Sequence, residues 1–198
     1  MMHPFASARS LRLIVLCVLL SLISDTSFAK EGERLIYDAH LDSMRTGMSV
    51  LGAWSISNLL FGSIMRQRTA SVSRSFHEMN AAWNLVNLSI AGFGYFSLPD
   101  PSSWSALEGL RTLENIDRIL LFNAGLDIAY VAFGYALIER GQRLGSDRSL
   151  GYGRSLILQG AFLFLFDSAF AYLHSDLTDQ LRVSLLPSES GLSLNVLF

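Results

Sequence analysis

Two aspartates, Asp127 and Asp167, sit in the middle of stretches that are otherwise almost wholly apolar. A carboxylate in hydrocarbon costs at least ~2.5–3.5 kcal/mol, so a group placed there must hold a proton, bind a cation or accept several hydrogen bonds. No Lys or Arg falls in the central part of the same stretches to neutralise it. Amide side chains do fall there: Asn58, Asn84, Asn87, Asn123 and Gln159. Their spacing is regular. Asn80, Asn84, Asn87, Ala91 and Gly94 recur at i, i+4, i+7, i+11 and i+14, and Asn123, Asp127, Tyr130 and Gly134 follow the same rule. Gly52, Ser55, Asn58 and Gly62 share one side of a helix, as do Gln159, Asp167 and His174. Two chemistries suit this set. One is a proton or cation site with Asp127 and Asp167 as the acids. The plainer one is interhelical glue, a protonated Asp bonded to Asn, worth about 0.6–2 kcal/mol per contact.

A second set could hold a divalent metal. Asp38, His40 and Asp42 precede the first apolar stretch; His174, Asp176 and Asp179 follow the last. His and Asp are competent ligands, with His40, Asp42, His174 and Asp176 the candidates. No compact ligand motif such as H-E-x-x-H joins them, so solvated flanks are the plainer reading and no cofactor is expected. The single cysteine, Cys17, lies in a segment expected to be removed. Disulfides, thiolate chemistry and iron–sulfur clusters are then excluded. Gly92-Phe93-Gly94 and Gly151-Tyr152-Gly153 are too common a pattern to carry a phosphate site alone.

The elements that must position these groups follow from composition. The chain has 198 residues, 51% hydrophobic and 16% charged, with a net charge of −2. Its mean hydropathy is +0.36. Soluble domains carry roughly 25% charged residues, and no basic run is present, so a nucleic-acid binder is excluded and the lipid bilayer becomes the expected surroundings. Four stretches, about 44–65, 81–98, 116–138 and 155–173, each come near the roughly 20 residues that cross hydrocarbon, and none holds a proline. The fourth has Gln159 and Asp167 as its only strongly polar residues, which no soluble helix tolerates on its outer face. The expected fold is all-α, a membrane-spanning four-helix bundle over residues 44–174. A weak match at an offset of 72 (Phe61-Gly62 with Phe133-Gly134, Arg68 with Arg140) suggests two repeated helical hairpins.

Residues 1–29 have the three-part pattern of a secretory signal: Arg9 and Arg12, an apolar core over 13–23, and small residues before a cut after Ala29. Residues 30–43 are an outer segment that suits either an interfacial helix or a simple extension of the first span. Arg66, Arg68 and Arg74 mark one expected loop, 66–78; Arg140, Arg143, Arg148 and Arg154 mark another, 139–154. Positive charge prefers the cytoplasmic side, so both mature termini are expected outside it. A short helix beginning near Ser103 or Ser105 is expected in the loop 97–115. The outer tail, 175–198, ends in an alternating stretch over 191–198 of strand-like period.

The stretches NAGLDIAY (123–130) and QGAFLFLFD (159–167), with the arginine-rich segment between them, resemble a family of small bacterial membrane proteins of unknown function. The resemblance covers about 44–174. It implies a signal peptide, four helices and the bacterial cytoplasmic membrane, and it carries no catalytic residues. The expected function is non-enzymatic: a structural or partner-binding bundle, with a homo-oligomer or another membrane protein as partner and no nucleic acid. The alternative is a small proton- or cation-coupled transporter or channel using Asp127 and Asp167. A metal-dependent membrane enzyme is the third.

Overall fold

The computed structural model describes the backbone of residues 8–186 and the side chains of residues 30–186. The expected signal segment, 1–29, has no described side chains, and the strand-like tail, 191–198, lies outside the described residues. The chain forms α1 (Ala8–Arg68), α2 (Ser71–Phe96), a 3-10 turn at Pro101–Ser103, α3 (Ala106–Leu144) and α4 (Asp147–Ser184). Among the described residues there is no strand.

The turns are set by local chemistry. Asp100 accepts a hydrogen bond from the Ser102 N–H at 2.9 Å and starts the 3-10 turn. Ser105 caps α3 in a reciprocal box: its hydroxyl accepts from the Glu108 N–H, and its own N–H donates to Glu108 Oε2 at 2.8 Å. Gly145, in the left-handed region at φ 59°, ends α3, and Ser146 caps α4 at once. Ser71, at φ 53°, opens α2 in the same region without being glycine.

These turns are tighter than the sequence reading expects. Residues 66–78 are not a loop: α1 runs to Arg68 and α2 starts at Ser71. Residues 139–154 are likewise the end of α3 and the start of α4, joined through Gly145 and Ser146. Residues 30–43 form no separate interfacial helix but continue α1, and the first ten residues of the expected tail continue α4. Ser105 begins α3 itself rather than a separate short helix. In each case neighbouring helices still offer a surface beyond the apolar stretch, so the helical pattern carries on past it. One further difference concerns hydropathy. Three helices are long and apolar enough to cross a membrane, those over Lys30–Arg68, Ala106–Leu144 and Asp147–Ser184. Helix α2 falls short because its seam is built from Asn80, Asn84 and Asn87, all buried.

α4 is the helix that the others share. It packs most extensively on α3, then on α2, and also touches α1, while α1 pairs mainly with α2. Buried positions follow a seven-residue register: His77, Asn80, Asn84, Asn87 and Ala91 on α2; Leu113, Leu120, Ala124, Asp127, Gly134 and Gly141 on α3. Glycines let the backbones meet. A Cβ on Gly134 would lie 2.7 Å from the Gly153 carbonyl oxygen, and one on Gly160 would lie 2.8 Å from the Asp127 carbonyl oxygen. This is the small-residue packing that helices use where no water drives them together.

Candidate functional site

The buried polar side chains fall into three clusters. The first lies at the arginine-bearing end and is a closed ring of hydrogen bonds across α1, α2 and α4. Trp54 Nε1 donates to Gln159 Oε1 at 3.2 Å. Gln159 Nε2 donates to Asn80 Oδ1 at 2.5 Å, and Asn80 Nδ2 donates to Asn58 Oδ1 at 3.1 Å. Asn58 Nδ2 returns to the Trp54 carbonyl at 2.9 Å. Each amide accepts through oxygen and donates through nitrogen, so the ring runs in one direction without conflict. Asn84 hangs from it through its bond to the Asn80 carbonyl at 2.8 Å. The indole of Trp54 also stacks on Phe162, with ring centroids 3.8 Å apart.

The second cluster lies at mid-bundle. Asp127 on α3 and Asp167 on α4 lie close together at the α3–α4 interface and line the same cleft. Both residues are buried, as is Asn87. The three line a cleft of about 290 Å³ between α2 and α3, together with Asn123, Trp83 and Tyr130. Asp127 Oδ2, Asn87 Nδ2 and Trp83 Nε1 are buried atoms without a hydrogen-bond partner. Asn123 is half-buried.

The third cluster lies at the opposite end. His40 Nδ1 and His174 Nε2 are 2.7 Å apart, and His174 Nδ1 lies 2.6 Å from Asp117 Oδ1. Both imidazoles are essentially sealed, at 2% and 0% exposure. With Asp117 ionised, the chain has one consistent order: His174 donates to Asp117, and His40 donates to His174. Phe170 stacks edge-on against His174, and Trp104 lies tilted beside His40. His40 lies just outside the apolar stretch at 44–65, and burial pushes its imidazole down to about 4, with His174 acting in the same sense and Asp117 against it.

The four metal candidates therefore separate. His40 and His174 meet, but the facing nitrogens share a hydrogen bond and leave no gap for an ion. Asp42 is exposed and lies 3.6 Å from Arg45, and Asp176 is exposed and accepts from Gln180. Among the described residues no group of three or more His, Cys, Asp or Glu could hold a metal. Of the polar-seam candidates, Asn58, Gln159 and Asn84 fall in the ring, and Asp127, Asp167, Asn87 and Asn123 fall at the cleft. Asp117 is the residue that sequence reasoning missed. It stands four residues after Leu113 and three before Leu120, in the buried register of α3, and that spacing is the signal that marks it.

The model of a family of unknown function (DUF6992) matches residues 50–168. No curated protein and no solved structure matches the chain. The matched stretch contains the amide ring and the two aspartates of the cleft, while His40 and His174 fall outside it.

Proposed function

The chain belongs to this family of unknown function, and from that premise we propose that it is a non-enzymatic integral membrane protein that acts by binding. All four helices cross the bilayer, α2 among them, because Asn80 and Asn84 bond at the ring, Asn87 is buried beside them, and the outer face is Leu85, Val86, Ile90 and Phe93. One observation carries the reading: the bundle is inside-out. The buried side chains include His40, Asn80, Asn84, Asp127, Gln159 and His174, while Phe61, Phe93, Phe122, Phe133 and Leu165 are more than half exposed. Water would reject that surface, and acyl chains accept it. The arginine-bearing turns lie on the cytoplasmic side of a bacterial inner membrane, the opposite end faces out, and the partner is a second copy or another membrane protein.

Alkaline carbonate washing of membranes tests this directly. The protein stays with the lipid pellet and needs detergent to leave it; a monodisperse aqueous species would overturn the reading. The carboxyl pair supports a second reading, a proton- or cation-coupled carrier. Proton or sodium flux in proteoliposomes that is lost in Asp127→Asn and Asp167→Asn would favour it over the first.

A further inference from the structure

The cleft between α2 and α3 is built to receive something. The backbones of the two helices stay apart, their side chains meeting in the edge-to-face pair of Trp83 and Tyr130, and α1 and α4 close the floor. Its deep wall carries the carboxyl pair of Asp127 and Asp167 with Asn87, and Asn87 and Asp127 are 96% and 98% buried. Three atoms there have nothing to bond: the donors Asn87 Nδ2 and Trp83 Nε1, and the acceptor Asp127 Oδ2. A buried polar atom left without a partner is unfavourable, so each favours a ligand that can bond to it. The rim is apolar and open. Val86 on α2 and Ile119 on α3 line the cleft and are 56% and 52% exposed on the side that faces acyl chains. The volume, about 290 Å³, holds about ten non-hydrogen atoms at roughly 30 Å³ each.

We propose that this cleft binds an uncharged, hydroxyl-headed, single-chain amphiphile that enters sideways from the bilayer. The inference rests on the membrane reading above and gives its binding role a ligand class. A hydroxyl both donates and accepts, so one head group answers Asp127 Oδ2 and one of the two orphaned N–H groups together. A carboxylate or phosphate head meets the Asp127–Asp167 pair with like charge. A two-chain phospholipid exceeds the volume. The alkyl body lies along the apolar rim, with its end left in the bilayer.

The test uses the full chain in nanodiscs and a photoactivatable long-chain alcohol. Crosslinks should concentrate on peptides of α2 and α3. Unlabelled tetradecan-1-ol should compete at least about fivefold better than tetradecanoate. Val86→Trp and Ile119→Trp fill the mouth from positions that are already exposed, so folding is not at stake. Each should cut labelling by about fivefold or more with the melting temperature unchanged. Labelling spread evenly over the four helices, labelling unchanged in both rim variants, or a carboxylate competing equally well overturns the proposal while the membrane reading stands. Recovery of the protein from the aqueous phase overturns both.

Discussion

Asn80 makes more of the side-chain bonds at the amide ring than any other residue, because it accepts from Gln159 and, at 3.5 Å, from Asn84, and donates to Asn58. Asn80→Ala strands both partners, and an unpaired buried amide costs about 1–3 kcal/mol. Asn84→Ala removes one bond to a backbone carbonyl, and Asn84 Oδ1 is already unpartnered. Thermal unfolding in detergent should therefore rank Asn80→Ala well below Asn84→Ala. The histidine chain makes a prediction of different form. His40 is held neutral when folded, at about 4 against an ordinary 6.5. The unfolded chain thus takes up its proton first as the pH falls. Stability from this group is complete above about pH 6.5 and is lost as the pH drops toward about 4. Amide exchange in the end of the bundle holding Tyr37 and Leu181 should rise over that window, and His40→Gln should flatten the dependence. The sequence exposed the amides and the two mid-span aspartates, since a polar residue in an apolar stretch stands out by composition alone. It hid the pairing of His40 with His174, which are 134 residues apart. That contact exists because α1 and α4 continue past their apolar stretches, and no local pattern records where two helices meet.

Helix periodicity located all four helices, and it misplaced their ends. The arginine-rich segments read as loops because charge was taken as the end of a helix, when it marks only the end of the apolar stretch. Two positions in the turns test the local account. Ser71 holds a left-handed conformation that costs a non-glycine residue about 1 kcal/mol. Ser71→Gly should raise the melting temperature of the purified protein. Gly145 uses the same region with no such cost, so Gly145→Ala should lower it. The α3–α4 contact tests packing. On Gly134 an added methyl would meet the Gly153 carbonyl at 2.7 Å and the Ile157 nitrogen at 3.0 Å, and both are backbone. Neither can swing away as a side chain does. Gly134→Ala should cost about 1–3 kcal/mol, whereas Gly125→Ala, with open space around it, should cost little. Equal effects at the two glycines would show that α3 and α4 do not approach as described.

The assembled bundle has a direction as well as a shape. Its arginines gather at the turns between α1 and α2 and between α3 and α4, and its histidine chain gathers at the other end. Cysteines introduced one at a time in a Cys17→Ser background can read that polarity. Ser102→Cys should react with a membrane-impermeant maleimide added to spheroplasts, and Thr69→Cys should react only after lysis. The reverse result would invert the topology. The packing order carries a consequence for how the protein is made. The helix on which the other three converge is α4, and it leaves the ribosome after all of them. Until it arrives, α3 has little to pack on, Asn80 lacks its bond from Gln159, and Asp117 lacks His174. A chain cut short before residue 147 lacks the helix that the other three share, and it should be degraded faster than the full chain in a pulse-chase experiment.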